Sequence, residues 1–315
     1  MKPRILLTGK TGQIGAELAI LLPHLGEVIA PDRHEMNLAN PTDISRVIRE
    51  VRPHLVVNAA AYTAVDQAEK EEAIARAINA EAPAQMAEEA KKVGAGIVHY
   101  STDYVFDGSR NFPYQESETP NPVSVYGKTK FAGEQAIRDT GLPHLILRTA
   151  WVYATRGRNF LLTILRLASQ QEELRIVRDQ IGAPTWCREI ARGTVSILER
   201  SLRVRGTQLS LSENTGTYHM TAEGATSWYE FACTILEEAA KAPQNLSWFV
   251  SATNGRPILA RRIVPITTAE YPTAASRPPY SVLSNSLLTQ TFALQLPDWR
   301  MQLRRAFTET QPNEL

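Results

Sequence analysis

Ile97-Val98-His99-Tyr100-Ser101-Thr102-Asp103, followed after a loop by Tyr126-Gly127-Lys128-Thr129-Lys130, is the stretch on which the reading of this chain turns. Ile97 to Tyr100 is short, apolar-rich and β-branched, the pattern of a buried strand. Ser101, Thr102 and Asp103 follow at its carboxyl end, where open α/β sheets bind ligands. Asn121-Pro122 closes a polar loop, and Ser124 reads as the cap of a helix running toward Gly141. Tyr126 and Lys130 are four apart, so they share one face of that helix.

That pair suits acid–base work. A free phenol ionises near pH 10, and moving it to about 7 takes roughly 4 kcal/mol of preference for the phenolate. An ammonium about 4 Å away supplies roughly 4 kcal/mol at an effective dielectric near 20, and only about 1 kcal/mol in bulk water. The expectation is that Lys130 pulls the Tyr126 phenol down in a partly dry site, while Thr102 holds a substrate oxygen. Taken alone, Tyr-x-x-x-Lys arises by chance roughly once in four chains of this composition, so its context must carry it.

Outward toward the N-terminus, Ile5-Leu6-Leu7 is a short apolar strand that runs into Thr8-Gly9-Lys10-Thr11-Gly12-Gln13-Ile14-Gly15. Glycine recurs every third residue, and Ala16 to Leu22 then reads as helix, stopped by Pro23 and Gly26. Such glycines let backbone approach a pyrophosphate, which the helix N-terminus faces with free N–H groups. A plain strand–helix connection fits the same spacing. Val28-Ile29-Ala30 is the next strand, followed by Asp32, placed to bind a ribose 2′-hydroxyl, and Arg33, placed to meet a 2′-phosphate. Asn40-Pro41 starts a helix to about Val51. Leu55-Val56-Val57 is a third strand ending at Asn58-Ala59-Ala60-Ala61, whose small side chains suit close approach of a flat ring. Residues from Glu69 to Val93 read as helical, interrupted at Pro83 and ended by Gly94. His144 to Leu147 is a further strand. The alternation implies a doubly wound parallel sheet of Rossmann type.

Beyond Arg148-Thr149-Ala150-Trp151-Val152-Tyr153 the rhythm loosens. Helices are expected over Asn159–Ser169, Glu189–Leu202 and Ser227–Lys241, with a short strand at Tyr218-His219-Met220. From Ala242 the chain is rich in Pro, Ser and Thr; a surface tail fits such a stretch, and a substrate-covering lobe is preferred because long loops in compact proteins are often functional. The expected division is a cofactor-binding domain over residues 1–153, rejoined by about 183–222, and a smaller α/β substrate lobe over 154–182 and 223–315.

The bulk properties restrict the function. The chain has 315 residues, 43% of them hydrophobic and 21% charged, an ordinary globular mixture. A net charge of +1 gives no electrostatic case for nucleic acid or a membrane surface as partner. Its two cysteines, Cys187 and Cys233, make no disulfide framework, and His and Cys show no metal-ligand spacing. The apolar run near the N-terminus is too short for a signal peptide and no run is long enough to span a membrane, so a soluble cytoplasmic protein is expected.

Together the motifs Thr8-Gly9-x-x-Gly12-x-x-Gly15, Asn58-Ala59-Ala60, Ser101-Thr102-Asp103 and Tyr126-x-x-x-Lys130 resemble those of the extended short-chain dehydrogenase/reductases. Tyr62-Thr63-Ala64-Val65-Asp66, Tyr104-Val105-Phe106, Arg148 to Tyr153, Asp179 to Thr185 and Ala275-Ser276-Arg277-Pro278 extend the likeness through most of the chain, toward the reductases of dTDP-linked deoxyhexoses. The resemblance implies reduction of the C4 ketone of dTDP-4-dehydro-L-rhamnose to dTDP-L-rhamnose, with hydride from NADPH, and from NADH as well. It implies Tyr126 as the acid, Lys130 on the nicotinamide ribose, and Thr102 and Asp103 at the sugar. Gly9, Thr11, Gly12, Gln13, Ile14, Gly15, Asp32, Arg33, Asn37, Leu38, Ala59, Ala60, Ala61, Tyr62, Thr63 and Tyr100 would line the cofactor. Tyr104, Trp151, Asn159 and Arg277 would join the substrate site, Arg277 at the diphosphate. Some relatives bind Mg²⁺ at a dimer interface through glutamates. Arg188 falls where such a glutamate would sit, so no metal is expected here, and a homodimer stays open.

Sugar-nucleotide 4,6-dehydratases share the fold but carry Glu after Thr-Asp, where this chain has Tyr104. Another sugar-nucleotide reductase or epimerase remains an alternative. A non-catalytic alternative is the regulatory subunit of methionine adenosyltransferase, which acts by binding; turnover with any ketosugar nucleotide separates it from the enzymes.

Overall fold

The computed structural model describes residues 2–205, 208–211, 214–243 and 246–309. Residues 310–315, assigned by sequence to the substrate lobe, lie outside them. In chain order the first half holds β1 (Arg4–Thr8), α1 (Gln13–Leu21), β2 (Glu27–Ile29), α2 (Pro41–Val51), β3 (Leu55–Asn58), α3 (Val65–Ala68), α4 (Glu72–Arg76), α5 (Ala82–Val93), β4 (Gly96–Thr102), α6 (Val125–Thr140) and β5 (His144–Thr149). Then come β6 (Val152–Tyr153), α7 (Phe160–Ala168), β7 (Glu173–Val177), β8 (Ile181–Gly182), β9 (Thr185–Trp186), α8 (Cys187–Ser201), β10 (Leu202–Arg205), β11 (Gln208–Leu211), β12 (Gly216–His219), β13 (Thr226–Ser227), α9 (Trp228–Ala239), α10 (Ser247–Thr253), β14 (Arg262–Ile266), α11 (Ser286–Phe292) and α12 (Trp299–Thr308).

Six strands form the central sheet in the order β12-β5-β4-β3-β1-β2, and every neighbouring pair is parallel. The inner strands β3, β4 and β5 are buried along their whole length, and such strands carry apolar residues on both faces. Leu6, Val56, Ile97 and Ile146 point to one side, against Ile44, Val47 and Ile48 of α2, Met86 and Ala90 of α5, and Ile137 of α6. Ile5, Leu7, Val57, Val98 and Leu147 point to the other, against Leu18 of α1, Ile190 and Leu198 of α8, and Phe292 of α11. A separate apolar cluster joins Leu161 and Leu165 of α7, Phe231 and Ile235 of α9, and Trp299 and Leu303 of α12. Among the described residues no helix is long and apolar enough to cross a membrane.

The caps fall where the sequence puts them. Asn40 accepts from the Thr42 N–H, with Pro41 as the first helical residue. Ser124 accepts from the Gly127 N–H, and left-handed Gly141 ends α6. Two expectations change. The helix after Glu69 is interrupted ahead of Pro83: Ala77–Glu81 forms a π turn, and Pro83 sits in the first turn of α5. Pro83 has no N–H for the carbonyl of Asn79, and the wider turn absorbs the mismatch. The stretch after Ala242 holds α10, β14, α11 and α12. Strand β14 contains Pro265, which demotes a strand by sequence rules, and is held by parallel pairing with β7.

Candidate active site

The carboxyl ends of β1, β3 and β4 open onto one cleft of ≈ 990 Å³. At one end is the glycine turn. Gly9 has φ +76, a conformation that glycine adopts without strain, and a Cβ on it would lie 2.7 Å from the Ala60 nitrogen. A Cβ on Gly15 would lie 2.0 Å from the Gly9 carbonyl oxygen. The turn is therefore as tight as backbone permits. Gly12 starts α1 without a side-chain cap, so no side chain of that residue occupies the first-turn N–H groups. The Gln13 side-chain oxygen is buried without a partner beside them. Asp32 is turned onto its own loop, its Oδ1 accepting from the His34 and Glu35 N–H groups at 2.8 and 3.0 Å. Those bonds hold its carboxyl below the usual range. Arg33 beside it is exposed.

At the other end is the strand terminus singled out by sequence. Thr102 and Ser101 belong to β4 itself, and Asp103 opens a 3₁₀ turn. The Thr102 hydroxyl donates to Asp103 Oδ1 at 2.9 Å and accepts from the Tyr104 N–H at 3.2 Å. Asp103 is buried, and its Oδ2 has no partner. Burial pushes its carboxyl up to about 6, against partial relief from Ser281 and Thr102. Tyr126 lies in the first turn of α6, its ring edge-on to Tyr104 at 5.5 Å. Burial pushes its phenol up to about 12, and the Thr102 hydroxyl lowers it only in part. This corrects the expectation that Lys130 pulls the phenol down. Lys130 is 2% exposed, and its Nζ donates to the Tyr100 carbonyl at 2.6 Å and meets His99 Nε2 at 3.2 Å. Burial brings the amine down to about 8, which leaves it mostly protonated at neutral pH.

Most of the residues singled out by sequence meet in this cleft. Gly9, Thr11, Gly12, Gln13, Ile14, Asp32, Arg33, Asn37, Leu38, Ala59, Ala60, Ala61, Thr63 and Tyr100 line it, as do Thr102, Asp103, Tyr104, Tyr126, Lys130 and Trp151. Four stand apart. Gly15 packs under the turn. Tyr62 points to Glu71, its hydroxyl donating to Oε2 at 2.6 Å, and only its backbone is tied to Asn79. Asn159 caps α7 and holds the preceding loop by donating to the Ala154 and Arg156 carbonyls at 2.9 and 3.0 Å. It lines a second crevice. Arg277 makes a two-pronged pair with Asp66, at 3.1 and 2.6 Å.

Sequence reading missed Lys10, Thr149, Arg156, Arg158 and Trp228, which also line the cleft. Trp228 stacks flat on Trp151 at 3.4 Å between centroids. Trp151 takes a left-handed φ of +48, and its indole lies where a Cβ on Gly182 would be, 2.3 Å away. A strained tryptophan held over a glycine is a feature of functional sites. The sequence placed Trp151 at the substrate site through the Arg148 to Tyr153 stretch, but not the strain in its backbone. Among the described residues no group of three or more His, Cys, Asp or Glu is placed to hold a metal. Arg188 is buried and paired with Glu17 at 3.0 Å and Glu309 at 3.8 Å.

Residues 1–311 match the family model described as the RmlD substrate binding domain. A dTDP-4-dehydrorhamnose reductase of Burkholderia thailandensis is 47% identical over 297 residues, covering 94% of this chain and 95% of that one. One from Escherichia coli K12 is 42% identical over 309 residues, covering 97% of each. The crystal structure of the Bacillus anthracis dTDP-4-dehydrorhamnose reductase in complex with NADP superposes with a TM-score of 0.85 at 36% identity, covering 98% of this chain and all of that one. A UDP-glucose 4-epimerase of Thermus thermophilus, at 18% identity and a TM-score of 0.74, shares the fold. With the family model running almost end to end and relatives this similar over nearly their whole length, the chain belongs to the RmlD family of dTDP-4-dehydrorhamnose reductases, within the extended short-chain dehydrogenase/reductases.

Proposed function

We propose that this protein uses NADPH to reduce the C4 ketone of dTDP-4-dehydro-L-rhamnose, giving dTDP-L-rhamnose. The carrying observation is one cleft with a tight glycine turn at one end and Tyr126, Thr102 and Asp103 together at the other. The glycine turn fits a dinucleotide: it leaves no side chain between the first N–H groups of α1 and a pyrophosphate. When bound, the reduced nicotinamide supplies the hydride.

The chain's own residues do the rest. Lys130 holds the nicotinamide ribose. Thr102 orients the ketone oxygen, and Tyr126 gives it the proton that neutralises the arriving charge. A phenol near 12 is protonated at neutral pH, as a proton donor must be. Asp103 Oδ2, buried without a partner, accepts from a sugar hydroxyl. Trp151 and Trp228 wall the sugar. Arg277 reaches the diphosphate by exchanging Asp66 for phosphate oxygens. In this reading the residues around α7, α9 and α12 form the substrate lobe, while α11 within the same expected span packs on the central sheet. Cys187 and Cys233 are both free thiols, which suits a cytoplasmic protein.

The test is to mix the protein with dTDP-4-dehydro-L-rhamnose and NADPH and follow reduced-nicotinamide absorbance. Loss of absorbance with formation of dTDP-L-rhamnose is expected. No turnover of this or any other ketosugar nucleotide would reject the enzyme reading.

A further inference from the structure

Gly182 lies in β8 with an ordinary strand backbone, so its own conformation does not call for glycine. What excludes a side chain there is one neighbour. The three atoms nearest a Cβ on Gly182 all belong to the Trp151 indole: Cε2 at 2.3 Å, Nε1 at 2.6 Å and Cζ2 at 2.7 Å. Cε2 sits between the other two along the rim of the ring. A point in the ring plane beyond that rim would be nearer to Nε1 or Cζ2 than to Cε2. The observed order therefore places Gly182 over the face of the indole.

Trp228 covers the other face. Its ring stacks on Trp151 with centroids 3.4 Å apart and planes 4° from parallel. On that side, a Cβ of residue 182 would lie closer to the Trp228 ring than to Trp151, yet no Trp228 atom is among its three nearest neighbours. The Trp151 ring is thus held between Gly182 and Trp228. Two covered faces leave only the rim of the indole for the cleft that Trp151 lines.

Neither wall of this slot yields easily. Gly182 pairs with Thr226 of β13, and Ile181 before it is tied to the Pro279 and Ser281 backbones at 2.8 Å each. Trp228 opens α9, its Nε1 donates to Gln180 Oε1 at 3.2 Å, and Phe160 packs on it at 4.4 Å between centroids. The Trp151 carbonyl accepts from the Thr185 N–H at 3.2 Å. Residues 182–185 therefore anchor the Trp151 backbone and leave room for its ring. That is how a left-handed φ of +48 persists at a tryptophan.

Resting on the reductase reading, we propose that Gly182 is a positioning residue for substrate binding: its missing side chain opens a slot against Trp228 that holds the Trp151 indole edge-on to the cleft. The orientation matters chemically. The face of an aromatic ring is its negative part and the rim its positive part. A free face would stack on the C–H groups of a sugar. The rim, which carries Nε1–H, meets oxygen instead. In this slot Trp151 recognises oxygen atoms of the sugar nucleotide, and Gly182 sets the angle at which it does so.

The test is a double-mutant cycle between Gly182→Ala and Trp151→Ala in the whole protein. Stacked indoles couple their transitions and give a paired band in far-ultraviolet circular dichroism, a signature of the slot that does not depend on turnover. The parent should show the band and Gly182→Ala should lose it. Gly182→Ala should also lower kcat/KM for dTDP-4-dehydro-L-rhamnose by about 10²-fold, the scale of loss that a misplacement of about 1 Å brings. Its dissociation constant for NADPH should match the parent's. With Trp151→Ala in place, a methyl group at position 182 meets no indole, so the double variant should match Trp151→Ala in stability and in kcat/KM. Losses that multiply in the double variant, or a Gly182→Ala protein that keeps the paired band, overturn this inference. Should Gly182→Ala alone fail to fold, a double variant that folds supports the slot and one that does not overturns it. A parent protein that shows the band yet turns over no ketosugar nucleotide rejects the reductase reading, and with it the role in substrate binding.

Discussion

Tyr126 has to be protonated until hydride arrives and acidic at that instant. Its buried phenol meets the first demand, and the second needs the charge that develops on the substrate oxygen. General acid catalysis is worth about 10²–10⁴-fold. Tyr126→Phe should lower kcat by that order and leave the dissociation constant for NADPH nearly unchanged, checked by single-turnover kinetics and binding titration. Near-parent turnover would move the proton to another group. Asp103 makes a second residue-scale prediction. Its carboxyl titrates near 6 in the folded protein against about 3.9 unfolded. Between those values the folded state binds the extra proton, so stability falls as pH rises through the window and the loss is complete above it. Two pK units correspond to roughly 3 kcal/mol. Asp103→Asn should therefore be more stable than the parent by about that order above pH 6, with no advantage below about pH 4, and should lose activity. Denaturant titrations at both ends of the window decide it; an advantage independent of pH would remove Asp103 as its source. Arg33 is the third case. It is exposed beside an Asp32 already engaged by backbone, so the two pull the cofactor preference in opposite directions. NADPH should be favoured with NADH accepted, and Arg33→Ala should shift the ratio of kcat/KM values toward NADH by about tenfold, one charge-assisted bond. An unchanged ratio would show that Arg33 does not read the 2′-phosphate.

At the scale of elements, α6 is held in place by the π turn ahead of α5. The turn presents Asn79, whose side chain bonds both backbone groups of Tyr62 and reaches Thr129 of α6 at 3.3 Å. Its carbonyl sits against Gly133, where a Cβ would lie 2.2 Å from the oxygen. That carbonyl is backbone, so it does not yield cheaply. Gly133→Ala should cost about 1–3 kcal/mol, the usual toll of overpacking, despite the better helix propensity of alanine. Thermal unfolding should show a midpoint several degrees lower. A raised midpoint would mean that the π turn can move away. Since α6 carries Tyr126 and Lys130, the same variant should lose turnover before it loses fold.

At the scale of the whole molecule, the cleft is shared between the central sheet and the cluster around α7, α9 and α12. A ligand that binds only the folded state raises the melting temperature, and at equal concentration the tighter ligand raises it more. dTDP should therefore stabilise the protein more than UDP does at equal concentration. Equal shifts would end the claim of thymidine selectivity.

The sequence by itself determined the parallel sheet, the caps at Asn40 and Ser124, and the gathering of Gly9, Thr102, Tyr126 and Lys130. These follow from local pattern: apolar runs, capping residues and a four-residue helical spacing act over a few positions, and strand ends in such a sheet converge by construction. The tertiary structure alone decided what surrounds each group. Trp228 meets Trp151, Arg277 meets Asp66 and Ser281 meets Asp103 across long stretches of chain, through contacts that no local pattern encodes. The same holds for charge. A lysine four residues from a tyrosine suggests a lowered phenol, but proton affinity depends on solvent exclusion and on every neighbour in three dimensions. Burial raised Tyr126 and lowered Lys130, and only the folded chain brings Lys130 within reach of His99.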